Sequence, residues 1–317
     1  MLVYHVDAFA QRPFAGNPAG VCLLSQPRDD SWMHSLALEL NLPKTAFVLR
    51  EGADQSFRLR WFGMDGESQL CGHATLAAAH VLWQSALAPP AEPIRFLTAS
   101  GTLQARQLGA GWIELDFPAE VAVEESRPEL AAALGVEPRW MGRNRLHFLV
   151  EVESEEAVRA VQPDFRRLAA VLSPAHGVSV TARAAAAARR AVDLPPADLG
   201  ARHRSPQPAQ VRPSAQGRPG GEPPLSAPEP AGTAGEIDFV SRFFAPPIGV
   251  DEDAVTGSAH CALGPYWAAK LGKLELSAHQ VSSRGGALRI RVAGDRVHLA
   301  GQAVSLLRSE LLLGRES

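Results

Sequence analysis

Asp253 stands four residues before Gly257, where Gly257-Ser258-Ala259-His260-Cys261-Ala262 reads as the opening of an Ala-rich, buried helix. A carboxylate at that place can act as a general base or orient an imidazole; alternatively it only complements the positive end of the helix dipole. His73 occupies a similar place in Leu70-Cys71-Gly72-His73-Ala74-Thr75, within the first turn of another Ala-rich run. An imidazole there can exchange protons near neutrality, or merely cap its helix. The first-turn N–H groups at Gly72, Gly257 and Ser258 suit an anion, because no earlier turn of helix supplies them with acceptors. His80 and His260 lie deeper in the two runs and read as packing residues. Asn17 precedes Pro18, which biases it towards an extended backbone and would hold its amide in one direction. The loop around it reads equally as a ligand contact or a tight turn.

The two helix starts are related to each other. An offset of 185 residues (257 − 72) places Gly72 on Gly257, Ala74 on Ala259, Ala77 on Ala262 and Glu67 on Glu252. Two related halves, with both helix N-termini facing one ligand, would explain the match; chance likeness between Ala-rich helices is the alternative.

The remaining elements must bring these places together. Leu2 to Phe9 alternates as a first strand, followed by a turn-rich loop from Pro13 to Gly20 and an apolar run from Val21 to Leu24. Asp30 and Ser31 offer N-caps for a helix to about Leu40, ended by Asn41-Leu42-Pro43. Lys44 to Leu49, Phe57 to Phe62, Phe96 to Ala99 and Trp112 to Phe117 read as strands, and Gly63 to Gln69 as the loop feeding the first Ala-rich helix. A crossing segment then leads to short helices at Pro128 to Leu134, Ser154 to Val161 and Asp164 to Leu172, with strands at His147 to Val152 and Val178 to Thr181. Residues 184–235 are dominated by Ala, Arg, Pro, Gly and Ser, a composition that predicts a disordered insertion. Ile237 to Phe244 is a strand, a loop carries Asp251, Glu252 and Asp253 into the second helix, and a hairpin turns at Gly294-Asp295. Gln302 to Leu313 reads as a last strand or a short helix.

Composition narrows the function. Of the 317 residues 46% are hydrophobic and 21% charged, and the formal net charge is −3, which predicts a soluble globular protein without non-specific nucleic-acid binding. No apolar run reaches membrane-span length and the N-terminus lacks a signal-peptide layout, so a cytoplasmic protein with no membrane partner is expected. Three scattered cysteines suit neither a disulfide framework nor a zinc site, and His73 with His80, seven apart, is a poor chelate. Dinucleotide, P-loop and Gly-x-Ser-x-Gly fingerprints are missing, so the reading is one of no cofactor and no metal.

Several phrases in this order resemble the PhzF, or phenazine-biosynthesis-like, family. They are Val6-Asp7-Ala8-Phe9, Gly16-Asn17-Pro18-Ala19, Asn41-Leu42-Pro43 with Thr45-Ala46-Phe47, Leu70-Cys71-Gly72-His73-Ala74-Thr75, Arg242-Phe243-Phe244-Ala245-Pro246 and Glu252-Asp253-Ala254-Val255-Thr256-Gly257-Ser258-Ala259-His260. The resemblance implies an α+β, diaminopimelate epimerase-like fold: two similar domains, each a β-barrel around a central helix, with the site between them and a homodimer as the assembly. The domains would be 1–118 and 119–300, the latter carrying the insertion, with 301–317 returning to the first. It further implies a cofactor-independent isomerase acting on a small-molecule carboxylate. Related racemases use one Cys per half; here Cys71 stands at the first place and Thr256 at the second. Carried over from the family, the site comprises His73, Asp253, Gly257 and Ser258, with Asn17 and Gly72 as further ligand contacts. Lys44, however, replaces the family's proton-shuttling Glu. Three readings follow: Lys44 is a base; Asp253 and His73 move the proton while Lys44 binds a carboxylate; or the fold has become a binder of small acids. Glu39, five residues before Lys44, is a poor substitute.

Overall fold

A computed structural model describes residues 1–52, 56–173, 177–185 and 236–312. The expected insertion at 184–235 therefore lies outside the described residues, apart from 184 and 185. Mixed α/β structure is found, with eighteen strands and six α-helices among the described residues.

The first half opens with β1 (Leu2–Ala8), β2 (Asn17–Leu24), α1 (Asp30–Leu40), β3 (Lys44–Glu51), β4 (Ser56–Gly63) and β5 (Gly66–Ser68). It continues with α2 (Gly72–Gln84), β6 (Ile94–Thr98), β7 (Gly101–Gln107), β8 (Ile113–Pro118) and β9 (Val123–Glu124). The second half has β10 (Trp140–Arg143), β11 (His147–Glu151), β12 (Gly177–Arg183), β13 (Phe239–Ala245) and β14 (Val250–Asp253). Then come α6 (Gly257–Leu271), β15 (Glu275–Gln280), β16 (Gly286–Ala293), β17 (Arg296–Gly301) and β18 (Ala303–Glu310). Helices α3 (Pro128–Leu134), α4 (Glu155–Ala160) and α5 (Phe165–Leu172) cover one flank of this half, over a separate apolar cluster that includes Leu134, Val158, Leu168 and Phe244.

The same succession of pairings occurs twice. In the first half β1–β2 is antiparallel, β2–β3 parallel, β3–β4 and β4–β5 antiparallel, β4–β6 parallel, and β6–β7–β8 antiparallel. From β10 the chain repeats it through β11, β12, β13, β14, β15, β16 and β17. The two series meet where β8 pairs with β17, and their tails cross over: β9 pairs with β10, and β18 with β1. All eighteen strands thus form one sheet. The expected closed barrels are corrected on one point, for this sheet does not close. The outer edge of β18 would need a partner in β6, β7 or β8, and each of those already has two neighbours.

Local chemistry accounts for most element boundaries. Helix α1 is capped by Asp29, not by Asp30 or Ser31; its carboxylate accepts from the Trp32 N–H at 2.8 Å. It ends where Asn41 takes the left-handed conformation. Asn17 to Gly20, expected in a loop, already belong to β2. The segment after Gln302 is a strand, β18. Strands β7, β10 and β15 escape a pattern reading because their buried positions hold small or few apolar side chains, such as Ala105 in β7 and Ala278 in β15.

The Ala-rich composition of α2 has a packing purpose. Ten of its thirteen residues are buried, and it touches β1, β2, β3, β8 and β18 on different sides. Alanines let strands approach the helix closely all round, where larger side chains would hold them off. Helix α6 is buried in the same manner against β11, β15, β16 and β17.

One ion pair anchors the β1–β2 turn that leads to Asn17. Asp7 is wholly buried; it accepts from Arg284 Nη2 at 2.7 Å and from the Phe14 N–H at 2.8 Å. Arg284 also donates to the Gly16 and Ala15 carbonyls, at 2.8 and 3.1 Å. Replacing Arg284 by Met leaves a buried carboxylate with a single backbone donor. Since the guanidinium is itself partly exposed, the expected loss is roughly 2–3 kcal/mol in urea-induced unfolding. A loss under about 0.5 kcal/mol, the size of an ordinary surface change, would show that the pair does not hold this turn.

Candidate active site

The starts of α2 and α6 abut. A Cβ added to Gly72 would lie 3.4 Å from Gly257 Cα, and one added to Gly257 would lie 3.4 Å from Gly72 Cα. A Cβ at either place would thus just reach van der Waals contact with the opposite backbone, so the two helix ends meet with no side chain between them. Neither helix is capped by its own side chain: Cys71 and Thr256, at the two N-cap places, make no capping hydrogen bond, and neither first turn contains an acid. Two positive dipole ends therefore face a common point with no acid in either first turn to balance them.

Asp253, the last residue of β14, supplies the carboxylate beside that point. The residue retains some exposure, yet its carboxylate is enclosed and both oxygens are engaged. Asn17 Nδ2 donates to Oδ1 at 2.7 Å, and the Thr256 hydroxyl donates to Oδ2 at 2.5 Å. Asn17 Nδ2 also reaches the Val255 carbonyl at 2.8 Å. Gln280, at the end of β15, straddles the turn: its Oε1 accepts from the Thr256 N–H at 2.9 Å, and its Nε2 donates to the Asp253 carbonyl at 2.7 Å. Burial raises the Asp253 pKa above the usual carboxylate range, against the lowering effects of Thr256, Asn17, the Ala254 amide and Lys44.

His73, second residue of α2, is buried, and its Nδ1 lies 3.5 Å from Cys71 Sγ. Burial, helped by the charge of Lys44, pushes its pKa down to about 3, so the ring is neutral in the physiological range. Cys71 moves the other way: burial pushes the thiol up to about 12. A thiol of that kind is a poor base, and the residue at its counterpart place is Thr256. Buried polar atoms without a protein hydrogen-bond partner among the described residues include His73 Nε2, Asn17 Oδ1 and Thr45 Oγ1.

Lys44 opens β3, one residue beyond the Thr45–Phe62 pair, and lies across Gly63 of β4. Its ammonium contacts Asp65 Oδ1. The charge of Lys44 is felt at Cys71, His73 and Asp253, which places all four in one electrostatic neighbourhood.

Asn17, Lys44, Gly72, His73, Asp253 and Gly257 thus converge, and Ser258 is the second residue of α6 at the same end. Glu39 sits on the exposed side of α1 and plays no part. His80 and His260 are packing groups as expected, the former against Ser305 and the latter against Thr256 and Phe239. Pattern reading missed Gln280, Gly63 and Asp65. Only Asp65 had a local signal, a Gly-Met-Asp-Gly turn, and that says nothing of chemistry. Among the described residues no group of three His, Cys, Asp or Glu is arranged to hold a metal ion, and no helix is long and apolar enough to cross a membrane.

Comparison with known proteins gives a consistent picture. The profile of the family described as "Phenazine biosynthesis-like protein" (PhzC-PhzF) matches residues 6–206 and 225–309. An uncharacterized isomerase of Halalkalibacterium halodurans is 42% identical over 313 residues, with 98% of each chain covered. A PhzF-family crystal structure from Enterococcus faecalis superposes with a TM-score of 0.78 at 34% identity, covering 98% of this chain and 99% of that one. A PhzF-family protein of Bacillus anthracis, 21% identical over 99% of each chain, shares the fold with a TM-score of 0.74.

The histidine shift has a testable consequence. His73 and His260 have folded-state pKa values of about 3 and about 4, below the ordinary 6.5, so the unfolded chain takes up their protons first. Their neutral burial therefore favours folding fully above pH 6.5, and that contribution is lost as pH falls towards 3 or 4. A His73→Gln variant should lose less unfolding free energy than the parent between pH 6.5 and 4.5, measured by urea titration at each pH. Parallel losses would mean that His73 takes up no proton on unfolding in this window.

Proposed function

The chain belongs to the phenazine biosynthesis-like (PhzC-PhzF) family, and from that premise we propose that it is a cofactor-independent isomerase shifting a proton within a small unsaturated or cyclic carboxylic acid. The acid lies between the starts of α2 and α6. The observation that carries this reading is the meeting of two uncapped, acid-free helix N-termini at Gly72 and Gly257, beside the enclosed Asp253 carboxylate. Relatives named as isomerases, such as the Halalkalibacterium protein, support the reaction class. In the same reading the two halves, 1–118 and 119–300, are barrel-like domains, and the pairing of β18 with β1 supports the return of 301–317 to the first. A cytoplasmic homodimer completes the proposal, by analogy with the family.

Each group then has a role that its surroundings allow. First-turn N–H groups of α2 and α6, including those of Gly72, Gly257 and Ser258, donate to the substrate's carboxylate or carbonyl. Asp253 is the proton carrier, because burial makes its carboxylate more willing than usual to hold a proton. Thr256 can donate to the ionised carboxylate and, by turning its O–H, accept from the protonated acid. His73, neutral and with Nε2 lacking a protein partner, hydrogen-bonds the substrate without adding charge. Asn17 holds Asp253 in place and presents its own Oδ1. Lys44 serves as an anchor for negative charge, in keeping with its contact to the Asp65 carboxylate.

One observation favours a second reading, a catalytically diverged acid-binding protein: Lys44 stands where the family resemblance expects a Glu. Incubating small unsaturated and cyclic carboxylic acids with the protein in D2O, and following C–H exchange by proton NMR, separates the two. An isomerase exchanges a substrate C–H, Asp253→Asn slows that exchange by about a hundredfold or more, and Lys44→Met raises KM by about tenfold. Saturable binding of an acid with no exchange at any pH would instead establish the binder.

A further inference from the structure

Lys44 and Asp65 form an asymmetric ion pair. The Lys44 side chain is 17% exposed and that of Asp65 43%, so the cation faces inward and the anion outward. Room for the cation is built into the neighbouring strand: a Cβ on Gly63 would come 2.8 Å from Lys44 Nζ and 2.9 Å from its Cδ. The Pro43 carbonyl, also 2.8 Å from that position, leaves the side chain no space if Gly63 carried one. Asp65 belongs to a two-residue turn, Met64-Asp65, that joins β4 to the three-residue β5 through the Gly63–Gly66 pair. Gly66 has φ +92, Met64 is exposed, and among the described residues β5 pairs only with β4. Asp65 is thus carried on an exposed turn at the edge of the site, while Lys44 is set deeper.

Charge explains why such a pair sits here. Two helix N-termini and an ammonium converge on a site whose Asp253 carboxylate is already satisfied by Asn17 and Thr256. Asp65 is the carboxylate in direct contact with Lys44. We infer that Asp65 is a built-in competitor for the ligand: it occupies the Lys44 ammonium in the free protein and is displaced when a carboxylate enters. This rests on the reading of the site as a carboxylate binder, and it makes Asp65 a specificity-determining residue. A ligand with a negative group replaces the ion pair it breaks, whereas a neutral isostere has no charge with which to displace Asp65 and leaves the pair in place. An exposed ion pair is weak enough to be exchanged in this way.

The opposite arrangement, Asp65 holding Lys44 in position for the ligand, reverses the sign of the effect. Acetate and benzoate are suitable probes, with acetamide and benzamide as neutral counterparts, titrated by calorimetry or NMR against the full-length protein. Asp65→Asn, which suits the same turn, should tighten the carboxylates by roughly two- to fivefold and leave the amides unchanged. Asp65→Glu keeps the competitor and should not tighten them. Lys44→Met should weaken the carboxylates by about tenfold, and in the Lys44→Met/Asp65→Asn protein the gain should vanish. If Asp65→Asn weakens carboxylates or leaves them unchanged while the parent still binds them, the competitor role is wrong and the carboxylate site stands. A gain that persists without Lys44 overturns the inference too, as a general charge effect. If neither the parent nor Asp65→Asn binds any carboxylate, the site reading itself fails and takes the inference with it.

Discussion

The contact between Gly72 and Gly257 is the constraint from which the rest of the site follows. Bringing two helix N-termini within van der Waals reach concentrates two partial positive charges where no acidic first-turn residue or side-chain cap offsets them. That arrangement costs stability in the free protein, and the surrounding strands must hold it. They do so because each helix is buried on several sides, α2 among β1, β2, β3, β8 and β18, and α6 among β11, β15, β16 and β17. The small buried residues Ala74, Ala77, Ala78 and Ala79 of α2, and Ala259, Ala262 and Gly264 of α6, permit that close packing. The N-cap residues follow suit: Cys71 is held beside His73, and the Thr256 hydroxyl is drawn to Asp253, so neither returns to cap its helix.

Burial and hydrogen bonding then decide what each titratable group can do. At Asp253 the two oppose each other, and burial wins despite two side-chain donors and an amide. At His73 no compensating bond raises the imidazole's affinity for a proton, so burial and Lys44 act together and the ring stays neutral. Cys71 is pushed towards the thiol by the same enclosure. One dry environment therefore yields a carboxylate that holds protons more readily, an imidazole that refuses them and a thiol that keeps its own. A two-cysteine racemisation, which needs one thiolate and one thiol, lacks its second sulfur here, because Thr256 stands at that place.

Much of this was legible in the chain because it is local. The helix starts, the acid before the second of them, the Asn-Pro pair and the repeat at an offset of 185 residues all lie within short phrases. The twofold succession of strand pairings is the structural counterpart of that repeat. What could not be read is non-local. Gln280 acts through a strand, β15, whose buried face is made of Leu276, Ala278 and Gln280 itself, too polar for an apolar alternation to mark. The open sheet depends on which edges are already taken; the crossing of β9 to the second half has no signature in its segment, and the return of β18 to the first is expected from the family resemblance alone. The role of Gly63 exists only because the β3–β4 register sets it against Lys44.

Lys44 is therefore better understood as one of three coupled residues than as a single replacement. A carboxylate at the start of β3 would need no counter-ion in a site already rich in positive charge; an ammonium adds to that charge and needs one. Asp65 supplies it from the adjoining turn, and Gly63 clears the space that the longer side chain occupies. The negative charge has in effect moved from the strand to the hairpin, where it is more exposed and less tightly held. A proton carrier must be fixed against the reacting carbon, and an exposed turn residue bound to a lysine is not. Under the proposed function the proton chemistry is assigned to Asp253, which is enclosed and held by Asn17 and Thr256. In that proposal Lys44 is left with recognition of charge, and a ligand suited to it would carry its negative group towards β3.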